Sequence, residues 1–221
     1  MNVLKKFFAV TLLLTLMALP QIVSAEKNDW SDKSYNFKKV RTIVIFDIDE
    51  SRVPGDVSNA IMRKIEGDYN SNANKLKCEV LTESQARRLL NLPNASQNAL
   101  KNVVADIADL WIECKITKWR SSYHIVPART VWESQKRTRR YRNSWGEWAE
   151  ETYYERVPVT YPPYRVDTSD IIADFEVYDA ITGNVVFSRE DDRSRDDENA
   201  HKDMFGRMCN SFFSDFGKKI K

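Results

Sequence analysis

A chain of 221 residues that is 42% hydrophobic, with 34 Lys and Arg against 32 Asp and Glu, has the material for a substantial core. Its near-neutral balance excludes capture of a polyanion by net charge alone. Six glycines and seven prolines exclude a low-complexity or collagen-like chain, and the length suits one larger domain or two small ones.

In chain order, Lys5 and Lys6 precede an apolar run from Phe7 to Leu19, and Val23-Ser24-Ala25 sets small residues at a cleavage site. That tripartite pattern predicts an export signal cleaved after Ala25, and an exported protein that is periplasmic or secreted. A transmembrane span would need ~20 apolar residues, and Pro20 interrupts the run before that length, so no stable membrane anchor is expected after cleavage. No cysteine lies near the site to carry a lipid. Loss of Lys5 and Lys6 brings the acidic and basic residues into balance.

Residues 26–39 read as a polar leader. Residues 40–49, VRTIVIFDID, are apolar on alternate and intervening positions alike, the pattern of a central strand covered on two sides. Pro54-Gly55 breaks it, and Asp56 is placed to cap a helix carrying Val57, Ile61, Ile65 and Tyr69 on one face, ending in the polar run 70–74. A short strand over 76–81 leads to Thr82 and Gln85, a capping box that opens a helix with Ala86, Leu89 and Leu90. Pro93-Asn94 ends that helix and Ser96 starts another. Over 109–119, Leu110, Ile112, Cys114 and Ile116 alternate with Trp111, Glu113, Lys115 and Thr117, a half-buried strand.

Residues 123–166 change character and predict a long antiparallel β-hairpin insert rich in aromatic and charged side chains. Residues 171–190 follow as a second hairpin, with Ile171, Ala173, Phe175 and Val177 on one face and Thr182-Gly183-Asn184 at the turn. Its cover is the segment 203–219, where Met204, Phe205, Met208, Cys209, Phe212, Phe213 and Phe216 recur at helical spacing. The expected fold is α/β (α+β): over residues 40–221, one domain with a mixed sheet backed by helices, the hairpin insert and a C-terminal amphipathic helix.

Cys78, Cys114 and Cys209 allow at most one bridge, and nothing in their spacing specifies a pair, which favours three unbridged thiols. No CxxC is present, and the two histidines, His124 and His201, stand far from any cysteine in sequence, so no metal and no cofactor is expected. Neither histidine sits in a nucleophile context, and no Gly-rich phosphate loop occurs. The chain is therefore read as not an enzyme. The alternative is a hydrolase built on Asp47 and Asp49, whose spacing along a strand end puts two carboxylates on one side. The acidic run Asp191-Asp192 and Asp196-Asp197-Glu198 is interrupted by Arg193 and Arg195 and lacks the glycine of a calcium loop. It is read as a charged loop capping the final helix.

The insert is the strongest binding candidate. Taken alone, RTVWESQKRTRRYR (129–142) looks like a nucleic-acid strip, but a turn over 143–146 would bring acidic residues beside it, with Arg142 facing Glu147 and Arg139 facing Glu150. Charges paired in that way leave no nucleic-acid partner. Trp132, Tyr141, Trp145, Trp148, Tyr153 and Tyr154, with Arg139 and Arg140, are the predicted binding residues. Two readings stay open for the aromatics: an exposed patch for an envelope protein partner or a glycan, or a cover for their own sheet. Self-association is a further mode.

The succession VRTIVIFDID and helix, CEVLTESQARRLL, ADLWIECKITKW, FEVYDAITGNVVFSRE and a terminal amphipathic helix resembles a group of bacterial envelope proteins. It includes the curli-secretion protein CsgG, the penicillin-binding-protein activator LpoB and the N-terminal domain of TolB. The motif of apolar strand, Asp-Ala-x-Thr-Gly and apolar strand is carried here by residues 177–188. The resemblance implies an α/β sandwich serving as a binding or assembly module in the cell envelope, with no catalytic residues to transfer.

Overall fold

The computed structural model describes residues 26–197 and 199–220; the export signal expected over 1–25 lies outside them. Two compact units divide the chain, one of residues up to 121 together with those from 168 onward, the other of residues 122–167. The elements in order are β1 (Glu26–Ser31), β2 (Thr42–Ile45), α1 (Asn59–Ala73), β3 (Glu79–Thr82), α2 (Glu83–Leu89), α3 (Gln97–Lys101) and β4 (Leu110–Val126). Then come β5 (Arg129–Arg142), β6 (Trp148–Tyr161), β7 (Tyr164–Asp179), β8 (Val185–Arg195) and α4 (His201–Gly217). A mixed six-stranded sheet runs β1-β8-β7-β4-β2-β3, and β5 and β6 form a separate antiparallel ribbon, so the α+β architecture with a long hairpin is present.

In the larger unit β2 is parallel to both β3 and β4, while β8 is antiparallel to both β7 and β1. The doubly apolar pattern of β2 has a direct cause. Ile43 and Ile45 join the core under α1 and α4, whereas Val44 and the following Phe46 pack with Leu81, Ala86, Leu100 and Val104 on the opposite face. Every residue of the predicted α4 stripe is buried, and Phe212 stacks on Phe175 of β7 at 4.5 Å between centroids. Each such ring contributes ~1.5–3 kcal/mol through burial, so α4 fixes the sheet's covered face.

Several boundaries differ from the sequence reading. α1 starts at Asn59 and is capped by Ser58, which accepts from the Ile61 N–H; Asp56 lies two residues before the cap, beside a turn in which the Val57 N–H donates to the Pro54 carbonyl. The helix also continues to Ala73, since Asn72 is buried and donates to the Asp68 carbonyl. The Thr82–Gln85 capping box is formed as expected. Residues 26–31 of the polar leader form the edge strand β1. Asp29 there accepts two bonds from Arg189, 2.5 and 2.6 Å long, and Arg189 is only 2% exposed and also meets Asp215 at 3.1 Å. Of the acidic run, Asp191 and Asp192 belong to β8, where Arg193 holds the buried Asp191, while Asp196 and Asp197 lie beyond the strand; Ala200 precedes α4 without a side-chain cap. Local pairing with the neighbouring strand outcompeted a loop. The three cysteines are free, with Cys114 and Cys209 buried and the half-buried Cys78 thiol pushed up to about 11 by burial.

Candidate functional site

The ribbon is where most predicted binding residues fall, and its register decides which of them act together. Asn143 and Glu147 close the turn: the Asn143 N–H donates to the Glu147 carbonyl, and the Asn143 Oδ1 accepts from the Trp145 and Glu147 N–H groups. Gly146 has φ 79°, so a three-residue loop with glycine in the left-handed region separates the paired ends. The odd loop length shifts the expected pairing by one. Arg139 faces Glu151 rather than Glu150, Arg140 faces Glu150, and Arg142 faces Trp148. The first two pairs are ion pairs at 2.7 and 2.6 Å, and Arg142 lies over the Trp148 ring at 5.2 Å.

Because side chains alternate along paired strands, this register sorts the ribbon into two unlike faces. One carries Arg129, Arg137 and Arg139 against Glu133, Glu151 and Glu155, a neutral set. Tyr141, Tyr153 and Tyr161 share that face. The other carries Lys136, Arg140, Arg142 and Arg156 against Glu150 alone, with Trp132, Trp148 and Tyr154 between them. These last three are the more exposed aromatics, Tyr154 reaching 71%, and Trp145 stands at the turn tip. Of the predicted binding residues, then, Trp132, Trp148, Tyr154 and Arg140 are brought together, while Tyr141, Tyr153 and Arg139 face the other way. Lys136, Arg142 and Arg156 complete the basic face; only strand alternation combined with the correct register could have found them. Within the same unit Arg165 sits over the Tyr123 ring at 4.3 Å.

The larger unit carries a second polar feature, on the sheet face away from α4. A cavity of about 450 Å³ is lined by Asp47, Asp49, Glu113, Asp174, Glu176 and two lysines, Lys101 and Lys115, among others. Lys101 pairs with Glu113 at 2.7 Å and Lys115 with Asp49 at 3.8 Å. Burial and Glu83 raise the Asp47 carboxyl above its ordinary range, whereas the backbone and hydroxyl of Ser51 hold Asp49 below it. Asp174 is raised by burial and by Glu190 and Glu176, and its Oδ1 is buried without a partner. Glu83 fares differently. Burial opposes its charge, but the Asp47 N–H, Arg87 and Gln97 outweigh that and keep it below the carboxylate range. The carboxylates come from β4, β7 and the segment after β2, so no sequence motif announces them.

His201 stacks on Trp119 at 4.4 Å with its Nε2 3.0 Å from the Arg120 carbonyl, and burial lowers its pKa. It is a packed histidine. Among the described residues, no group of three or more His, Cys, Asp or Glu is arranged to hold a metal ion, and no helix is long and apolar enough to cross a membrane.

The fold is thus α+β, with a mixed sheet that α4 covers on one face and a separate two-stranded ribbon exposed on both. No protein-family model matches the chain, and no curated protein matches it. Among solved structures it is similar to the PelC dodecamer from Paraburkholderia phytofirmans, at 10% identity and a TM-score of 0.44, over 89% of this chain and 97% of that one. It is also similar to a DUF4136 family protein from Bacteroides thetaiotaomicron, at 13% identity and a TM-score of 0.40, over 89% and 97% of the two chains.

Proposed function

We propose that this chain is an exported, non-enzymatic module of the bacterial cell envelope that binds another macromolecule through the basic-aromatic face of its ribbon. The proposal includes the kinship with the CsgG, LpoB and TolB N-terminal group that the order of elements suggests. One observation carries it: Trp132, Trp148 and Tyr154 stand exposed on the face that also holds four cations against one carboxylate. Solvent-facing rings of that size add little to a two-stranded ribbon that water reaches on both sides, but they supply contact area and cation–π groups to a partner. An acidic protein surface or an anionic glycan has the matching chemistry.

The test compares the two faces. Trp132→Ala with Trp148→Ala and Tyr154→Ala is expected to abolish cross-linking to envelope proteins, or co-sedimentation with purified cell wall. Tyr141→Ala with Tyr153→Ala is expected to leave binding in place. Equal loss from both sets would overturn the reading. A second reading, a carboxylate-based hydrolase, is favoured by the opposite displacements of Asp47 and Asp49 beside one cavity. Turnover of a glycoside or ester substrate that Asp47→Asn eliminates would establish it in place of the first.

A further inference from the structure

The open sheet face of the larger unit and the basic face of the ribbon have complementary charge, and both belong to the same chain. We infer that the ribbon's basic face is occupied by the open acidic sheet face of a second copy of this chain. This rests on the ribbon being the binding surface and names its partner.

The sheet face is built by register. Asn28 of β1, Glu190 of β8 and Asp174 of β7 lie side by side across three strands, and Trp30, Ser188 and Glu176 form the next row. Phe175, Phe187 and Arg189 point to the opposite side, beneath α4. Trp30 is 52% exposed and Glu190 is exposed, so among the described residues no element closes this part of the sheet. The two rows border a hollow of about 270 Å³, which shares Asp174 and Glu176 with the larger cavity.

Charge separates the parts of this surface. Glu113 and Asp49 are neutralised by Lys101 and Lys115, but among the described residues Asp47, Asp174, Glu176 and Glu190 have no Lys or Arg within ion-pair distance. Among the described residues the buried Asp174 Oδ1 has no hydrogen-bond partner, and burial, with the nearby Glu190 and Glu176, opposes its ionisation. Such a surface is satisfied by an incoming cation with several N–H groups, which is what an arginine side chain offers. Arg142, Arg156 and Lys136 are outside the ribbon's own ion pairs and lie among Trp132, Trp148 and Tyr154, which can pack against Trp30. Since the two surfaces differ, the contact is heterologous: in a pair, one copy keeps its sheet face free and the other its ribbon face, so further copies can add at both ends.

The experiment is sedimentation of the purified protein, alone and as two charge-reversed variants. Wild type is expected to self-associate at low salt and to fall to the monomer value as salt shortens electrostatic reach to ~3 Å at 1 M. Lys136→Glu with Arg142→Glu and Arg156→Glu is expected to be monomeric, as is Glu176→Lys with Glu190→Lys. Mixing the two variants restores association, because each then offers what the other lost. Glu176→Gln with Glu190→Gln serves if the reversed sheet variant does not fold, and is expected to weaken association without changing secondary structure. Association that persists in the sheet variants, or wild type that stays monomeric at low salt, overturns this partner. If the ribbon variants still lose binding to cell wall or to an envelope protein in that case, the ribbon remains the binding surface and only its occupant is wrong.

Discussion

Two antiparallel hairpins in this molecule share a construction and differ in their surroundings. β7 and β8 turn at Gly183 with φ 70°, β5 and β6 at Gly146 with φ 79°. Beneath α4, Ile171, Ala173, Phe175 and Val177 are fully buried, whereas water reaches both faces of the β5–β6 ribbon. Local turn chemistry therefore makes a hairpin in either place, and the cover decides what its side chains are for. Under α4 the aromatic rings hold the fold together. On the ribbon they are free to meet another molecule.

The sharpest way to break that contrast is to remove a ring from the covered hairpin's lid. Phe212→Ala, which takes away stacking on Phe175 and Phe216, should cost about 3–5 kcal/mol in urea unfolding. Next, Asp29→Asn with Asp215→Asn leaves the buried Arg189 guanidinium without a counter-charge and should cost about 3 kcal/mol. A smaller effect of opposite sign is expected at Asp174. Its folded carboxyl is raised, so the native state holds this proton more tightly than the unfolded chain. Stability should therefore fall as pH rises from the ordinary carboxylate range through the raised value, and stay lowered above it. Asp174→Asn should stabilise the protein at neutral pH, by less than either loss above, with the gain vanishing in acid, as thermal melts across pH would show. Last, Trp148→Ala should shift stability by no more than ~0.5 kcal/mol. A loss comparable to that of Phe212→Ala would mean that the ribbon's rings are structural after all.

The covered half of the molecule was readable because burial writes periodicity into a chain. The α4 stripe, the alternation over Leu110–Ile116 and the Thr82–Gln85 box each carry a spacing that admits one local structure. β1 carries no such signal: as a polar edge strand it is recruited by β8 and by Arg189, and only Trp30 hints at a sheet. The ribbon's existence was legible, but its register was not, because both faces are polar and aromatic and the alternation has no buried side to set its phase. A one-residue difference in loop length then regrouped the predicted binding residues. The acidic sheet face was invisible for another reason, being assembled from residues on strands far apart in the chain.

The bond between Asp29 and Arg189 spans 160 positions. A chain that emerges N-terminus first must therefore present β1 long before its docking strand exists. β8 in turn offers an unsatisfied backbone edge until that early segment returns to it. Completion of the sheet is thus a late event in folding, timed by the last quarter of the polypeptide.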